Sequence, residues 1–182
     1  VAPTNTAKTS YINISSTGDS QDFGDLSLAI RYQAGCSSST RGLTFGGYSN
    51  SYQSTITKTT IASTGSHATF GNIKVSGSNT GFLGQTAFAN QTRSIMFSGN
   101  NASGNTSKMR YVTTASDGDT VDFGDMTYNY RYGLVTGSKT RAMPMGGYNG
   151  SSNVNTINVV TIATTGDALD FGDLRQTSSD NM

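Results

Sequence analysis

Glu and Trp are missing entirely from the 182 residues, and there is one His and one Cys. Without Glu, all 11 acids being Asp, the chain lacks one of the strongest helix formers, whereas Thr, Tyr, Phe, Val and Ile favour pleated, half-buried surfaces. The lone Cys36 excludes an intrachain disulfide framework, and nothing else in the chain completes a thiolate zinc site. Such a Cys is most often a small buried filler. Charge is scarce too. Charged residues make up 13% and hydrophobic residues 34%, so solubility rests on uncharged Ser, Thr, Asn, Gln and Gly. The net charge is +1 and no Lys/Arg run could track a phosphate backbone, which argues against nucleic acid as a partner. No stretch is apolar enough to cross a bilayer, so no membrane insertion is expected. The opening Val1-Ala2-Pro3-Thr4-Asn5 has neither the basic head nor the apolar core of a signal peptide. It also lacks an initiator Met, which leaves open whether the chain was processed or begins inside a longer one.

What the chain does have is repetition, the first property to establish because a missed period misassigns the fold. Asp22-Phe23-Gly24-Asp25-Leu26 recurs as Thr69-Phe70-Gly71-Asn72-Ile73, Asp122-Phe123-Gly124-Asp125-Met126 and Asp170-Phe171-Gly172-Asp173-Leu174. The Phe markers are 47, 53 and 48 residues apart. Between them lies a second marker: Ser39-Thr40-Arg41 with Gly46-Gly47-Tyr48, Gln91-Thr92-Arg93 with Ser98-Gly99-Asn100, and Lys139-Thr140-Arg141 with Gly146-Gly147-Tyr148. β-Branched stretches precede the Phe markers at Ile12 to Ser15, Thr55 to Ile61, Val112 to Thr114 and Ile157 to Ile162. Each period therefore predicts four short strands separated by turn chemistry. In the first they run Ala34 to Ser38, Arg41 to Phe45, Thr55 to Ser63 and His67 to Val75, with Thr64-Gly65 as a hairpin turn whose Gly supplies a positive φ.

The order of these elements resembles the kelch repeat, in which a short apolar strand ends in Gly-Gly, a β-branched strand follows and an aromatic sits on the fourth strand. Leu43 to Tyr48 and Ala142 to Tyr148 match the Gly-Gly strand; Phe23, Phe70, Phe123 and Phe171 stand where kelch usually has Trp, and Arg31 and Arg131 stand at the Arg before a blade. The chain is also similar, and more closely, to the tandem repeats of virion structural proteins of tailed phages from marine bacteria. Ser16 to Leu26, Cys36 to Tyr48 and Thr164 to Leu174 carry that likeness most clearly. The middle period departs: Thr69 and Asn72 replace two Asp, Ser98 replaces the first Gly, and no Arg matches Arg31.

These likenesses imply an all-β fold of kelch-like β-propeller blades, three complete four-stranded repeats plus an N-terminal half repeat. The expected division is an N-terminal arm (1–10), a repeat domain (11–175) and a C-terminal tail (176–182). Within the domain lie a half repeat at 11–26 and repeats at 27–75, 76–126 and 127–175. Propellers usually close with four to eight blades, so three imply completion by oligomerisation, continuation of a longer array, or an open stack. The resemblance implies a non-enzymatic virion structural protein, an appendage, fibre or decoration component on the particle surface, partnered by copies of itself or by other virion proteins. A carbohydrate-binding adhesin recognising host surface glycans is the alternative.

Several constellations carry candidate chemistry. Asp19, Asp22 and Asp25, with their copies Asp119, Asp122, Asp125 and Asp167, Asp170, Asp173, could supply oxygen ligands to calcium. The plainer reading gives Asp19, Asp119 and Asp167 to turn backbone, and the others to Arg or backbone amides. Asp-Phe-Gly also occurs in kinases, but no phosphate loop or catalytic loop accompanies it. Arg41, Arg93 and Arg141 share one register and suit bidentate pairing with Asp of a neighbouring repeat, or a surface for acidic sugars. Tyr48 and Tyr148 could stack on a sugar face. His67 has no nucleophile elbow to serve, and one His is too few for a copper radical oxidase of the kelch-bearing kind. No cofactor is expected. The Asn-x-Ser/Thr triplets at Asn13, Asn90, Asn101, Asn105 and Asn149 are what a chain rich in Ser and Thr gives by chance.

Overall fold

A computed structural model describes residues 5–177 and contains strands and no helix among them. Sixteen strands follow in order: β1 (Thr6–Tyr11), β2 (Gln21–Ile30), β3 (Ala34–Ser37), β4 (Arg41–Phe45), β5 (Thr55–Thr60), β6 (Ala68–Asn72), β7 (Lys74–Val75), β8 (Ser78–Asn79), β9 (Thr86–Ala89), β10 (Arg93–Asn101), β11 (Gly104–Thr113), β12 (Val121–Tyr130), β13 (Leu134–Gly137), β14 (Arg141–Met145), β15 (Thr156–Thr161) and β16 (Leu169–Asp173). They form three four-stranded antiparallel meanders, β3-β4-β5-β6, β9-β10-β11-β12 and β13-β14-β15-β16, preceded by the pair β1-β2 and interrupted by the small hairpin β7-β8.

The pair β1-β2 is the outer half of a fourth sheet. Its partners Lys8↔Asp25, Thr9↔Gly24, Ser10↔Asp22 and Tyr11↔Gln21 repeat, one hundred positions on, as Lys108↔Asp125, Met109↔Gly124, Arg110↔Asp122 and Tyr111↔Val121, with the bulge at the same step. The half sheet begins earlier than the β-branched residues suggest: Thr6–Tyr11 is the strand, and Ile12 to Ser15 leads into the turn. The N-terminal arm is therefore strand from Thr6 onward, while residues 1–4 and the tail beyond residue 177 lie outside the described residues.

The long spacing of 53 between Phe70 and Phe123 has a local cause. From Phe23 to Ala34 and from Phe123 to Leu134 is 11 residues, but from Phe70 to Thr86 is 16, because β7-β8 is inserted there. The middle sheet also joins its second and third strands by a tight β10-β11 hairpin. Ser98 takes φ +37 where Gly46 and Gly146 take +53 and +64, a conformation that costs an L-residue about 1–2 kcal/mol. Its hydroxyl donates to the Thr106 carbonyl.

The sheets stack face to face, with two cores between them. One joins Leu43, Phe45, Ile56 and Phe70 of the first full sheet to Ala87, Met96 and Val112 of the middle sheet. The other joins Ile95, Phe97, Met109 and Phe123 of the middle sheet to Ala142, Val160 and Ile162 of the third. Strand alternation accounts for this: Ile95 and Phe97 point to one face of β10, and Met96 to the other. The strands that open each meander, β3, β9 and β13, lie beside one another.

Candidate functional surfaces

The Phe-Gly-Asp marker joins one sheet to the next. In each sheet the connection between the third and fourth strands lies on the fourth strand of the sheet before it. Gly65 N donates to Phe23 O at 2.7 Å, Gly118 N to Phe70 O at 3.0 Å and Gly166 N to Phe123 O at 2.7 Å. Two residues on, His67, Thr120 and Ala168 donate from their backbone N to the carbonyls of Asp25, Asn72 and Asp125 at 2.9, 2.9 and 2.8 Å. This contact requires the Gly of the marker: a Cβ on Gly24, Gly71 or Gly124 would run into the backbone of Gly65, Gly118 or Gly166. Thr64-Gly65 is thus not a tight hairpin turn. The strands around it stop at Thr60 and resume at Ala68, leaving a longer connection whose backbone serves the neighbouring sheet.

The acids divide among separate tasks. Asp119 accepts from Asn72 N at 2.8 Å and Asp167 from Asp125 N at 2.9 Å, so these two bond the backbone of the adjoining sheet, where the sequence suggested their own turns. Asp25 pairs with Lys8 at 3.0 Å, Asp125 with Lys108 at 2.8 Å and Asp122 with Arg110 at 2.6 Å. Asp170 accepts from Gly172 N at 3.0 Å. Asp22 is exposed opposite Ser10, and Asp19 and Asp173 are exposed at the two ends of the stack. No group of three or more His, Cys or Asp that could hold a metal ion occurs among the described residues, so the acids do not converge as calcium ligands.

The repeated Arg reaches across sheets, chiefly to carbonyls instead of carboxylates. Arg41 Nη1 donates to Thr114 O at 3.2 Å, with Asp117 at 3.4 Å, and Arg93 Nη1 donates to Ile162 O at 2.9 Å. Arg93 also lies 4.6 Å from the Tyr111 ring centre. Arg141 is exposed, and no partner for its guanidinium occurs among the described residues. Phe70 and Phe123 are buried, Phe23 is half-buried against Tyr11 and His67, and Phe171 is 57% exposed. His67 Nε2 lies 3.3 Å from Thr9 Oγ1, and burial lowers its pKa. Cys36 is half-buried beside the first core, where burial pushes its thiol up to about 11.

A second surface gathers Tyr48 and Tyr148 with the repeat markers Arg31 and Arg131 and with Tyr32, Tyr52 and Tyr132, which the sequence did not single out. Arg31 lies between Tyr32 and Tyr48, 5.4 and 5.3 Å from their ring centres, and Arg131 between Tyr132 and Tyr148, at 5.1 and 4.9 Å. Tyr32 meets Tyr132 edge to face at 6.1 Å, and Tyr48 meets Tyr52 at 5.7 Å. Five rings and two guanidinium groups thus form one ladder, in the order Tyr52, Tyr48, Arg31, Tyr32, Tyr132, Arg131 and Tyr148. Gly46-Gly47 and Gly146-Gly147, all at positive φ, bring Tyr48 and Tyr148 back to pair with Arg31 and Arg131. Tyr32 and Tyr132 themselves take φ +59 and +56, a strain that costs about 1–3 kcal/mol each and clusters at functional positions. The Nε atoms of Arg31 and Arg131 are buried without a hydrogen-bond partner, and attraction to two ring faces is what compensates them. The Arg-Tyr dipeptide recurring one hundred positions apart was the signal in the sequence.

No protein-family model matches the chain, and no curated protein matches it in sequence.

Proposed function

We propose that the chain is a non-enzymatic structural component of a virion, an appendage, fibre or decoration protein, whose sheets are the blades of a kelch-like propeller completed by oligomerisation. The observation that carries this reading is the interlock, the same turn-on-strand contact made three times in succession. Each contact fixes the angle between neighbouring sheets by paired backbone hydrogen bonds, so the product is a stiff, modular surface. A charge-poor exterior of Ser, Thr and Asn suits a particle component, and repetition multiplies any weak surface contact through avidity. The order of Phe-Gly-Asp, Thr-Arg and Gly-Gly-Tyr motifs resembles that of tandem-repeat virion proteins, and that resemblance suggests the biological setting. Antibodies against the chain should decorate purified particles at regular positions in electron micrographs. Particles free of the chain would end this reading, and a reconstruction of the assembled protein without radially arranged sheets would end its propeller part.

The tyrosine–arginine ladder favours a second reading, a carbohydrate-binding adhesin. Half-exposed Tyr rings offer apolar faces to a pyranose, and the flanking Asn and Ser groups offer hydrogen bonds. A glycan array separates the readings. Saturable binding, competed by free sugar and lost in Tyr48→Ala and Tyr148→Ala, supports the adhesin; silence across the array leaves the scaffold.

A further inference from the structure

The stack ends in two unlike surfaces, and each carries the half of the interlock that the other lacks. At the trailing end, the third sheet repeats the positions that form the cores elsewhere. Leu43, Phe45, Ile56 and Phe70 are 2, 0, 0 and 3% exposed on the first full sheet, and Ile95, Phe97, Met109 and Phe123 are 0, 0, 0 and 2% exposed on the middle one. Their counterparts Met143, Met145 and Ile157 are only half-buried, and Phe171 is 57% exposed. A Cβ on Gly172 meets nothing within 4 Å, although on Gly24, Gly71 and Gly124 it would strike the docked turn. Arg141, in the register of Arg41 and Arg93, extends beside this open face over a shallow groove of about 230 Å³.

At the leading end the half sheet presents the complementary parts. Its Thr17-Gly18-Asp19 turn stands where Asp117-Gly118-Asp119 and Thr165-Gly166-Asp167 dock in the later sheets. Ile12 and Ile14 are 61 and 94% exposed, yet their counterparts on the two sheets that follow a complete sheet are buried. Val112 and Thr114 are 3 and 1% exposed, and Val160 and Ile162 are 4 and 0% exposed, whereas Ile61, which follows only the two-stranded half sheet, is 45% exposed. Asp19 has no bond among the described residues, while Asp119 and Asp167 each accept from a neighbouring strand.

We infer that a second copy of this chain docks its Thr17-Gly18-Asp19 turn, with Ile12 and Ile14, onto the Phe171-Gly172-Asp173 strand and the apolar face of the third sheet, joining copies head to tail. This rests on, and specifies, the self-assembly in the reading above. By continuity with the three internal joints, Gly18 N donates to Phe171 O, Ser20 N to Asp173 O and Asp173 N to the Asp19 carboxylate. The Arg141 guanidinium bonds the Ile14 carbonyl, as Arg41 bonds that of Thr114 and Arg93 that of Ile162. Because the two surfaces differ, the contact is heterologous and generates a closed ring or an open string according to the rotation at the joint.

The test is sedimentation velocity of the 182-residue protein over a range of concentrations, alongside Ile14→Asp and Phe171→Asp. Both side chains are exposed in the single chain, so unchanged far-ultraviolet circular dichroism and melting are the expected controls. The native protein should form species larger than one chain, and each variant alone should stay monomeric, because a carboxylate would be buried against an apolar face. An equimolar mixture of the variants should give a dimer and nothing larger, since one variant keeps an intact tail and the other an intact head. Native assembly that persists in both variants would overturn the head-to-tail joint and leave self-assembly standing. A native protein that remains monomeric at every concentration would sink both.

Discussion

At the residue scale the two rarest side chains are spectators whose environments can still be measured. Cys36 faces the first core, and a thiol raised to about 11 carries almost no thiolate near pH 8. Its reaction with a disulfide reagent should therefore be far slower in the folded protein than in denaturant, followed by thiol absorbance. His67 behaves differently because burial disfavours its charged form, holding its pKa below the ordinary 6.5. As pH falls through 6.5, the unfolded chain takes up a proton first. The folded state loses stability from there down to the lowered value, below which the penalty is constant. Denaturant midpoints taken from about pH 7 to about pH 5 should decline in the native protein, and His67→Gln should lack that part of the decline.

At the scale of elements the decisive contact lies between a strand and a turn. Gly71 is the cleanest probe, because its φ is not positive and the backbone of Gly118 and Asp119 is what opposes a side chain there. Gly71→Ala should lower stability by about 1–3 kcal/mol, as overpacking does. Gly118→Ala, on the other side of the same joint but facing open space, should stay within about 0.5 kcal/mol. Equilibrium urea unfolding checks both. The strands themselves were legible in the sequence. β4 coincides with Arg41 to Phe45, where Leu43, Thr44 and Phe45 run into the Gly-Gly turn, and β3 differs from its expected span by one residue, placed by the repeat and not by its own Ala-Gly-Cys-Ser composition. The interlock was not legible. Backbone donors and acceptors carry most of it, and their only traces in the side-chain pattern are the Gly of the marker and the Asp that follows the docked Gly, whose carboxylate at Asp119 and Asp167 bonds the adjoining strand. The start of β6 was misplaced for the same reason: His67 still looks like strand, but its backbone N bonds Asp25 O of another sheet, while Ile61 N, just past the end of β5, bonds Thr40 O in a turn of its own sheet. Of the ladder, Tyr48, Tyr148, Arg31 and Arg131 were picked out, the two Arg only as repeat markers, but not Tyr32 and Tyr132, which reach their Arg neighbours through positive φ that composition does not reveal.

At the scale of the whole molecule, the middle sheet is covered on both faces, which ties the two cores together. Ile95 belongs to one core and Met96 to the other, although they are adjacent in the chain. Ile95→Ala and Met96→Ala should each cost about 2–5 kcal/mol. Calorimetry should show each lowering one shared melting transition; two separated transitions would show that the sheets melt as independent units. The departures from regularity in the middle period also acquire meaning here. The added chain length is the β7-β8 hairpin alone, the other departures being substitutions, and the sheet itself keeps its place in the stack. The β7-β8 hairpin adds residues at an exposed turn, Ser76-Gly77, where a Cβ on the Gly meets open space. That turn is a natural insertion point: a foreign peptide placed between Ser76 and Gly77 would be displayed once per chain, held out from the framework beneath it.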